Sequence, residues 1–515
     1  MFTNEALSDF SVTQNEQALR RELHLFQSRL EKEPFQVRPI VDGKELDSTE
    51  VFKHFDPSEF KTCIAQNHFA APEVLKLAEE SLSQGLKEWR NLEPGERSSI
   101  IRKAAELLRQ KRHELNAIII REVGKPWLEA DADVAEAIDF CEYYAAQLPR
   151  FAPQKTAQPA DEENTYLYQP RGMVAVIAPW NFPLAIACGM TVAALITGNV
   201  VILKPAEQSG LTGYSLTKIL LAAGVPPNAI AFLPGRGETI GRALVISDRI
   251  NLVCFTGSKQ VGLEIIARCG ETRPGQQSIK RVIAEMGGKN AIIVDENADL
   301  EAALKGVLKS AFGYAGQKCS ACSRLIVVGK GYRAFISRLC EEAAKLKVGP
   351  AQEPRTDFGP VINQESMQRI MSVASQAEKD CHLAFRGTAA KGGYFVPVHI
   401  FRDVPPSHFI WREEIFGPIL ACRQVSDFTE ALTLANDSQY ALTGGLYSRS
   451  KEHIETAKRH FKVGNLYINR HCTGAMVGRQ PFGGFRLSGI GFKAGGPDYL
   501  LQFMEPRVIT ENKAL

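Results

Sequence analysis

Residues 172–203 carry no charged side chain, and a stretch of that length must be kept from water. A bilayer span satisfies the length alone, but Pro179, Asn181, Pro183, Gly189, Gly198 and Asn199 interrupt it. That punctuation fits a strand, a turn, a buried helix and a second strand better than one membrane helix. The same alternation continues downstream. Short apolar runs predict strands over 173–178, 200–203, 229–233, 251–255 and 290–294, with helices over 184–196 and 210–222 among them. A second series predicts strands over 324–328, 419–425, 444–447 and 465–469. Strands alternating with helices imply parallel sheets covered on both faces, hence an α/β fold.

Upstream, residues 1–70 are mixed and polar and predict an extension packed on the surface. From Glu73 the pattern turns helical. Ile100, Ala104, Leu107 and Leu108 form an apolar stripe with Arg102, Lys103 and Arg109 around it, and a further helical stretch covers 125–148. Pro149, Pro153, Pro159 and Pro170 then break the pattern. The alternating residues 163–170 predict an extended ribbon that leaves the domain.

Bulk properties narrow the function classes. A chain of 515 residues predicts two or three domains. Its 61 basic and 58 acidic residues nearly cancel, and no basic block suggests nucleic acid as a partner. The eleven cysteines lack the spacing of a disulfide framework, which predicts reduced thiols in a reducing compartment, the cytoplasm. The opening MFTNEALSDFSV has neither the basic nor the apolar region of a leader, and it is acidic where a mitochondrial presequence is basic.

The chemistry concentrates between Glu285 and Cys319. Glu285 follows the strand-like residues 282–284 and precedes Met286, Gly287 and Gly288. Cys319 follows Gly316 and Gln317 and is flanked by Lys318 and Ser320. A thiolate nucleophile with a water-activating carboxylate suits covalent catalysis. A free thiol titrates at roughly 8.5 and needs a favourable field, which Lys318 or a helix N-terminus would supply. Cys322 creates a CxxC spacing, but no second pair follows and no thioredoxin-like context surrounds it. It reads as a buried structural thiol, like the other nine, and no metal site is predicted. Asn181, an amide in a proline-stiffened apolar loop, is either a turn former or an oxyanion donor alongside the Cys319 N–H. The GxGxxG turn of ordinary dinucleotide folds is absent. In its place Gly257 permits a tight turn and Ser258 sits where a helix begins, either as a plain N-cap or as a pyrophosphate seat. Lys204 and Glu207 read, in isolation, as a charge pair at a strand end.

Five segments in order, APWNFP around Asn181, LKPAE at 203–207, EMGGKN from Glu285, GQKCS around Cys319 and EEIFGP at 413–418, resemble the NAD(P)-dependent aldehyde dehydrogenase superfamily over nearly the whole chain. The resemblance implies a Rossmann-type NAD-binding domain (1–148 with its extension 1–70, and 171–285), an α/β catalytic domain (286–496) and a β-flap for oligomerisation (149–170 and 497–515). It makes Cys319 the nucleophile, Glu285 the general base and Asn181 the oxyanion donor. Lys204 and Glu207 would hold the adenosine ribose, Gly257 and Ser258 the pyrophosphate, and Glu414 the nicotinamide ribose with Phe416 beside it. A carboxylate at Glu207 repels a 2′-phosphate, favouring NAD over NADP. Met286 stands where many relatives carry Leu, a volume-conserving change. The implied reaction takes an aldehyde through a thiohemiacetal and a thioester to the acid.

GQKCSACSR (316–324) and GAMVGRQPFGG (474–484) resemble the 1-pyrroline-5-carboxylate, or glutamate-semialdehyde, dehydrogenase branch. In that branch Ser320, Gly474 and Ala475 would hold the substrate α-carboxylate, with Phe182 and Phe482 walling its aliphatic part. EAIDFCEYYA (136–145) resembles the same branch and sets Glu136 in the pocket lining. The branch often follows a fused proline dehydrogenase; here the substrate is expected to be made elsewhere and to open spontaneously to the semialdehyde. Alternatives are another aldehyde such as succinate semialdehyde, a CoA-acylating relative, which usually lacks the base, and a silent crystallin-like relative, which predicts damaged motifs where all are intact. A dimer or a hexamer is expected, with no membrane or nucleic-acid partner.

Overall fold

The computed structural model describes residues 2–513. The charge-free run folds as strand Met173–Ile177, helix Ala185–Ile196 and strand Val200–Lys204, all interior. Among the described residues no helix is long and apolar enough to cross a membrane. These strands form the centre of an eight-stranded sheet. From one edge its order is Gly489–Ile490, Arg281–Glu285, Leu252–Thr256, Met173–Ile177, Val200–Lys204, Ile230–Phe232, Ile40–Val41 and Lys44–Glu45. The five middle strands run parallel and the outermost pairings are antiparallel. Strands buried on both faces need apolar residues at every position rather than at alternate ones, and MVAVI and the first four residues of VVILK meet that need.

The second sheet has seven strands, ordered His382–Arg386, His399–Arg402, Ile419–Val425, Cys322–Val328, Asn290–Val294, Thr443–Tyr447 and Asn465–Ile468. All are parallel except the first pair. It has its own core, around Ile292, Leu325, Ile400, Trp411 and Leu420. The chain then returns to the first sheet. Gly489–Ile490 pairs with Ala284 and Glu285, so residues from beyond the second sheet finish the edge of the first.

Two elements differ from the sequence reading, and a third, the ribbon, finds its pairing within the chain. Residues 1–70 are more than a surface extension. They hold helix Thr13–Leu30, the two strands that complete one end of the first sheet, and a small sheet of Phe35–Val37, Val51–Asp56 and Glu59–His68. Leu19, Val37, Ile64 and Ala65 are fully buried; such isolated apolar anchors in a polar segment carry no periodicity. In helix Pro94–Gln110 the buried face is Arg97, Ile101, Ala104, Ala105 and Leu108, one position round from the anticipated stripe. Arg97 belongs there because its guanidinium donates to the Ile196 carbonyl, 3.0 Å away. The ribbon Glu162–Pro170 pairs along its length with Met504–Asn512 of the same chain, with Gln154–Lys155 on its other side. The two segments expected as a flap thus form one three-stranded sheet with Met504–Asn512 at an open edge; residues 514–515 of the anticipated tail lie outside the described residues.

Candidate active site

Asn181, Lys204, Gly257, Ser258 and Glu285 all lie at or just beyond the carboxyl ends of the parallel strands of the first sheet. Met173–Ile177 has Val200–Lys204 on one side and Leu252–Thr256 on the other, so the chain winds outward in both directions from it. Such a reversal leaves a crevice at the carboxyl ends, where ligands of open α/β sheets bind.

Cys319, the candidate nucleophile, reaches this crevice on a loop held in an uncommon backbone conformation. After helix Leu300–Phe312, Tyr314, Ala315 and Gly316 are all left-handed, with φ of 53°, 54° and 70°. Two of the three carry a β-carbon, which disfavours that region, so the run persists only because its surroundings fix it. The Tyr314 hydroxyl donates to the Val123 carbonyl (2.7 Å). The Gln317 amide donates to the Pro360 carbonyl (3.1 Å) and accepts from the Ile362 N–H (2.9 Å). Asn290 Nδ2 donates to the Cys319 and Ala321 carbonyls (2.7 and 2.8 Å), while its Oδ1 accepts from the Thr443 N–H (2.9 Å). A β-carbon at Gly316 would lie 2.5 Å from the Gly417 carbonyl oxygen, which leaves room for glycine alone.

Cys319 is half-buried. Burial pushes its thiol up to about 12, and the Glu414 and Glu285 carboxylates add to the effect. Lys318 does not relieve this: its ammonium is committed to Glu129 Oε1 at 2.6 Å. Asn181 is 5% exposed and donates one amide hydrogen to the Gln317 carbonyl at 3.0 Å. The amide is thereby tied to the nucleophile loop, and its second hydrogen is the one left for an oxyanion.

Glu285 ends strand Arg281–Glu285, and its carbonyl accepts from the Gly257 N–H (3.1 Å). Its carboxylate lies among glycines. A β-carbon at Gly483 would stand 2.8 Å from Oε1, and one at Gly489 3.2 Å from Oε2. Burial pushes the group up to about 8, against the opposing Lys493 ammonium and Gly484 N–H. Oε2 is buried with no hydrogen bond. Glu414 accepts from the Gly288 N–H at 2.9 Å and is pushed up to about 7 by burial. Phe416, with φ of 58°, meets Trp180 edge-on at 5.6 Å between ring centres. Cys319, Glu285 and Glu414 thus come within electrostatic reach of one another from three separate segments.

The remaining predicted cofactor residues fit a dinucleotide. Lys204 is buried, donates to the Pro205 carbonyl (2.9 Å) and lies 3.6 Å from Glu207 Oε1. Glu207 is partly exposed, and the same oxygen accepts from the Gly237 N–H (2.8 Å). Anion and cation at the mouth of the crevice suit ribose hydroxyls. Ser258 caps helix Lys259–Gly270 by accepting from the Val261 N–H (3.4 Å), so the plain N-cap reading holds, and the twelve-residue helix points its N-terminus at the crevice edge.

On the substrate side, Ser320 is buried, and its carbonyl accepts from Thr443 Oγ1 (3.1 Å) and the Cys472 thiol (3.4 Å). Cys472 opens the turn that carries Gly474, left-handed at φ 69°, and Ala475. Phe182 lies under the Lys125 ammonium, 3.6 Å from the ring centre, and Lys125 pairs with Asp133 at 2.8 Å, both fully buried. Phe482 exchanges backbone hydrogen bonds with Ala494. Glu136 is half-buried, pushed up to about 8 by burial and by Asp133. Sequence reasoning missed the supporting residues Asn290, Gln317, Lys125 and Asp133. The first two sit inside the recognised motifs; Lys125 and Asp133 are a pair that no local pattern announces.

Residues 44–509 match the aldehyde dehydrogenase family. The chain is 42% identical over 516 residues to 1-pyrroline-5-carboxylate dehydrogenase of Geobacillus sp. (strain WCH70), covering 99% of both. A crystal structure of 1-pyrroline-5-carboxylate dehydrogenase from Thermus with bound NAD superposes with a TM-score of 0.96 at 42% identity, covering 99% of both chains. Proline utilization A (PutA) of Bdellovibrio bacteriovorus superposes with a TM-score of 0.98 at 44% identity, covering 99% of this chain and 53% of that longer one.

Proposed function

The chain belongs to the aldehyde dehydrogenase family and is an oxidoreductase, and from that premise we propose that it oxidises L-glutamate γ-semialdehyde, the open form of 1-pyrroline-5-carboxylate, to L-glutamate in proline catabolism. Residues 1–148 and 171–285 form the cofactor domain and 286–496 the catalytic domain, with 149–170 and 497–515 as an oligomerisation flap. Bound along Lys204, Glu207, the 257–258 turn and Glu414, NAD supplies the hydride acceptor. As its thiol proton passes to water, Cys319 Sγ bonds to the aldehyde carbon and the carbonyl π electrons move to oxygen. The second Asn181 amide hydrogen and the Cys319 N–H hold the resulting oxyanion. Loss of hydride leaves a thioester on Cys319. Glu285 then takes a proton from water, the hydroxide displaces the sulfur, and glutamate departs as the thiol is restored. Ser320 with the backbone of Gly474 and Ala475 holds the α-carboxylate, and Phe182 and Phe482 wall the methylenes.

The observation that carries this reading is the meeting of Cys319 and Glu285, delivered by different sheets, at one crevice. Steady-state oxidation of a panel of aldehydes with NAD and with NADP tests it. The highest kcat/KM is expected for glutamate semialdehyde with NAD. A higher value for succinate semialdehyde overturns the substrate, and a preference for NADP overturns the cofactor.

A further inference from the structure

Among the described residues, the titratable groups that face Glu285 carry no charge near neutrality, with one exception. Cys254 faces it from strand Leu252–Thr256, Tyr499 from the turn Tyr499–Phe503 and Cys319 from the nucleophile loop, and burial raises all three above their ordinary values. The exception is Lys493, whose charge opposes the burial of the carboxylate. Its ammonium donates to the Gly464 carbonyl (2.8 Å), the Gly483 carbonyl (2.6 Å) and Asn465 Oδ1 (3.0 Å). Three donors meet three acceptors, so the group is saturated and immobile. One of those acceptors belongs to Gly483, the residue that abuts Glu285 Oε1, and the next residue, Gly484, presents its N–H to the same carboxylate. The lysine therefore grips the turn against which the carboxylate is seated.

We propose that Lys493 is a positioning residue for the general base: it fixes the 483–484 turn against the Glu285 carboxylate and supplies the positive charge that faces it. This rests on the reading of Glu285 as the water-activating group. In this proposal Lys493 acts through Glu285, so its loss must slow thioester hydrolysis and leave thioester formation intact.

The test compares Lys493→Met, Lys493→Arg and Glu285→Gln in the full chain. Rapid mixing with semialdehyde and NAD from pH 6 to 9 separates the first-turnover burst of NADH from steady turnover. Lys493→Met is expected to keep the burst amplitude and kcat/KM, with KM falling in step with kcat because only hydrolysis of the thioester slows. Its turnover at pH 7 should fall about tenfold as the acid limb moves up by about one unit. Lys493→Arg, which keeps the charge, should restore the limb. An unmoved acid limb overturns the proposal. So does a burst that falls in step with turnover, which would mark a merely structural lysine or a misfolded variant. If Glu285→Gln turns over at the parental rate, the assignment of the base fails together with the proposal, whereas a slow Glu285→Gln beside an unaltered Lys493→Met removes the lysine alone.

Discussion

Burial sets the charge of the groups closest to the chemistry, and it works against each of them. The Cys319 thiol, pushed up to about 12 by burial, is protonated at rest, so in the proposed reaction attack and proton loss must be coupled. Glu285 at about 8 is a base in only a fraction of molecules at neutral pH. Hydrolysis of the thioester is therefore expected to accelerate as pH rises through about 8, measured as the steady rate after the burst. Stability runs the opposite way. The native carboxyl holds its proton above its ordinary value, so its contribution is full below the unfolded pKa and is lost as pH climbs through the folded one. Glu285→Gln should accordingly match the parent near pH 4.5 and melt at a higher temperature above about pH 8. Cys319→Ala is expected to lower turnover by at least about a thousandfold while NAD titration remains measurable; Asn181→Ala should lower kcat by about a hundredfold. Ala475→Asp sets a negative charge at the carboxylate clamp and should raise KM; an unchanged KM removes that clamp. Glu285, Cys319 and Asn181 stood out as candidates because each lies in a motif whose neighbours make a recognisable sequence. The role anticipated for Lys318 was not sound, because adjacency in sequence says nothing of where a long side chain points. It points to Glu129.

The loop Tyr314–Gly316 shows how a local backbone choice depends on distant contacts. Its left-handed run is unreadable from GYAG alone, since Tyr and Ala ordinarily avoid that region; contacts from distant residues, the carbonyls of Val123 and Pro360, the Ile362 N–H and the amide of Asn290, hold it. Gly316→Ala forces a β-carbon toward the Gly417 oxygen and is expected to reduce both the burst and the melting temperature. The Lys125–Asp133 pair supports the other wall. Lys125 is drawn down and Asp133 up by burial, each opposed by its partner. Removing one member strands a buried charge, so Lys125→Met should cost about 3–5 kcal/mol in chemical denaturation. The central strands of both sheets were legible from their apolar runs, whereas Ile40–Val41, Lys44–Glu45, Gly489–Ile490, His382–Arg386 and His399–Arg402, short or polar and near the sheet edges, were not. The buried face of helix Pro94–Gln110 was not, because Arg97 occupies a core position through a hydrogen bond to a carbonyl that hydropathy does not register.

Across the molecule, pairings between remote segments are what the sequence conceals. The small sheet and helix of the first seventy residues, the flap between Glu162–Pro170 and Met504–Asn512, and the closing strand Gly489–Ile490 each depend on partners that no local pattern names. The flap leaves Val508 58% and Ile509 41% exposed on its outer strand. We propose that this strand meets a second copy, and Ile509→Asp is expected to shift the mass measured by light scattering to a smaller species; an unchanged mass removes the flap from the interface. The return of residues 489–490 to Glu285 has a consequence for any attempt to divide the protein. A gene encoding only the first 285 residues would supply four consecutive parallel pairings yet leave its last strand with a raw margin and its carboxylate open to solvent. Recombining such halves through shuffling or split-reporter fusion therefore has to restore a seam in the interior of the catalyst, and not merely bring two finished modules side by side.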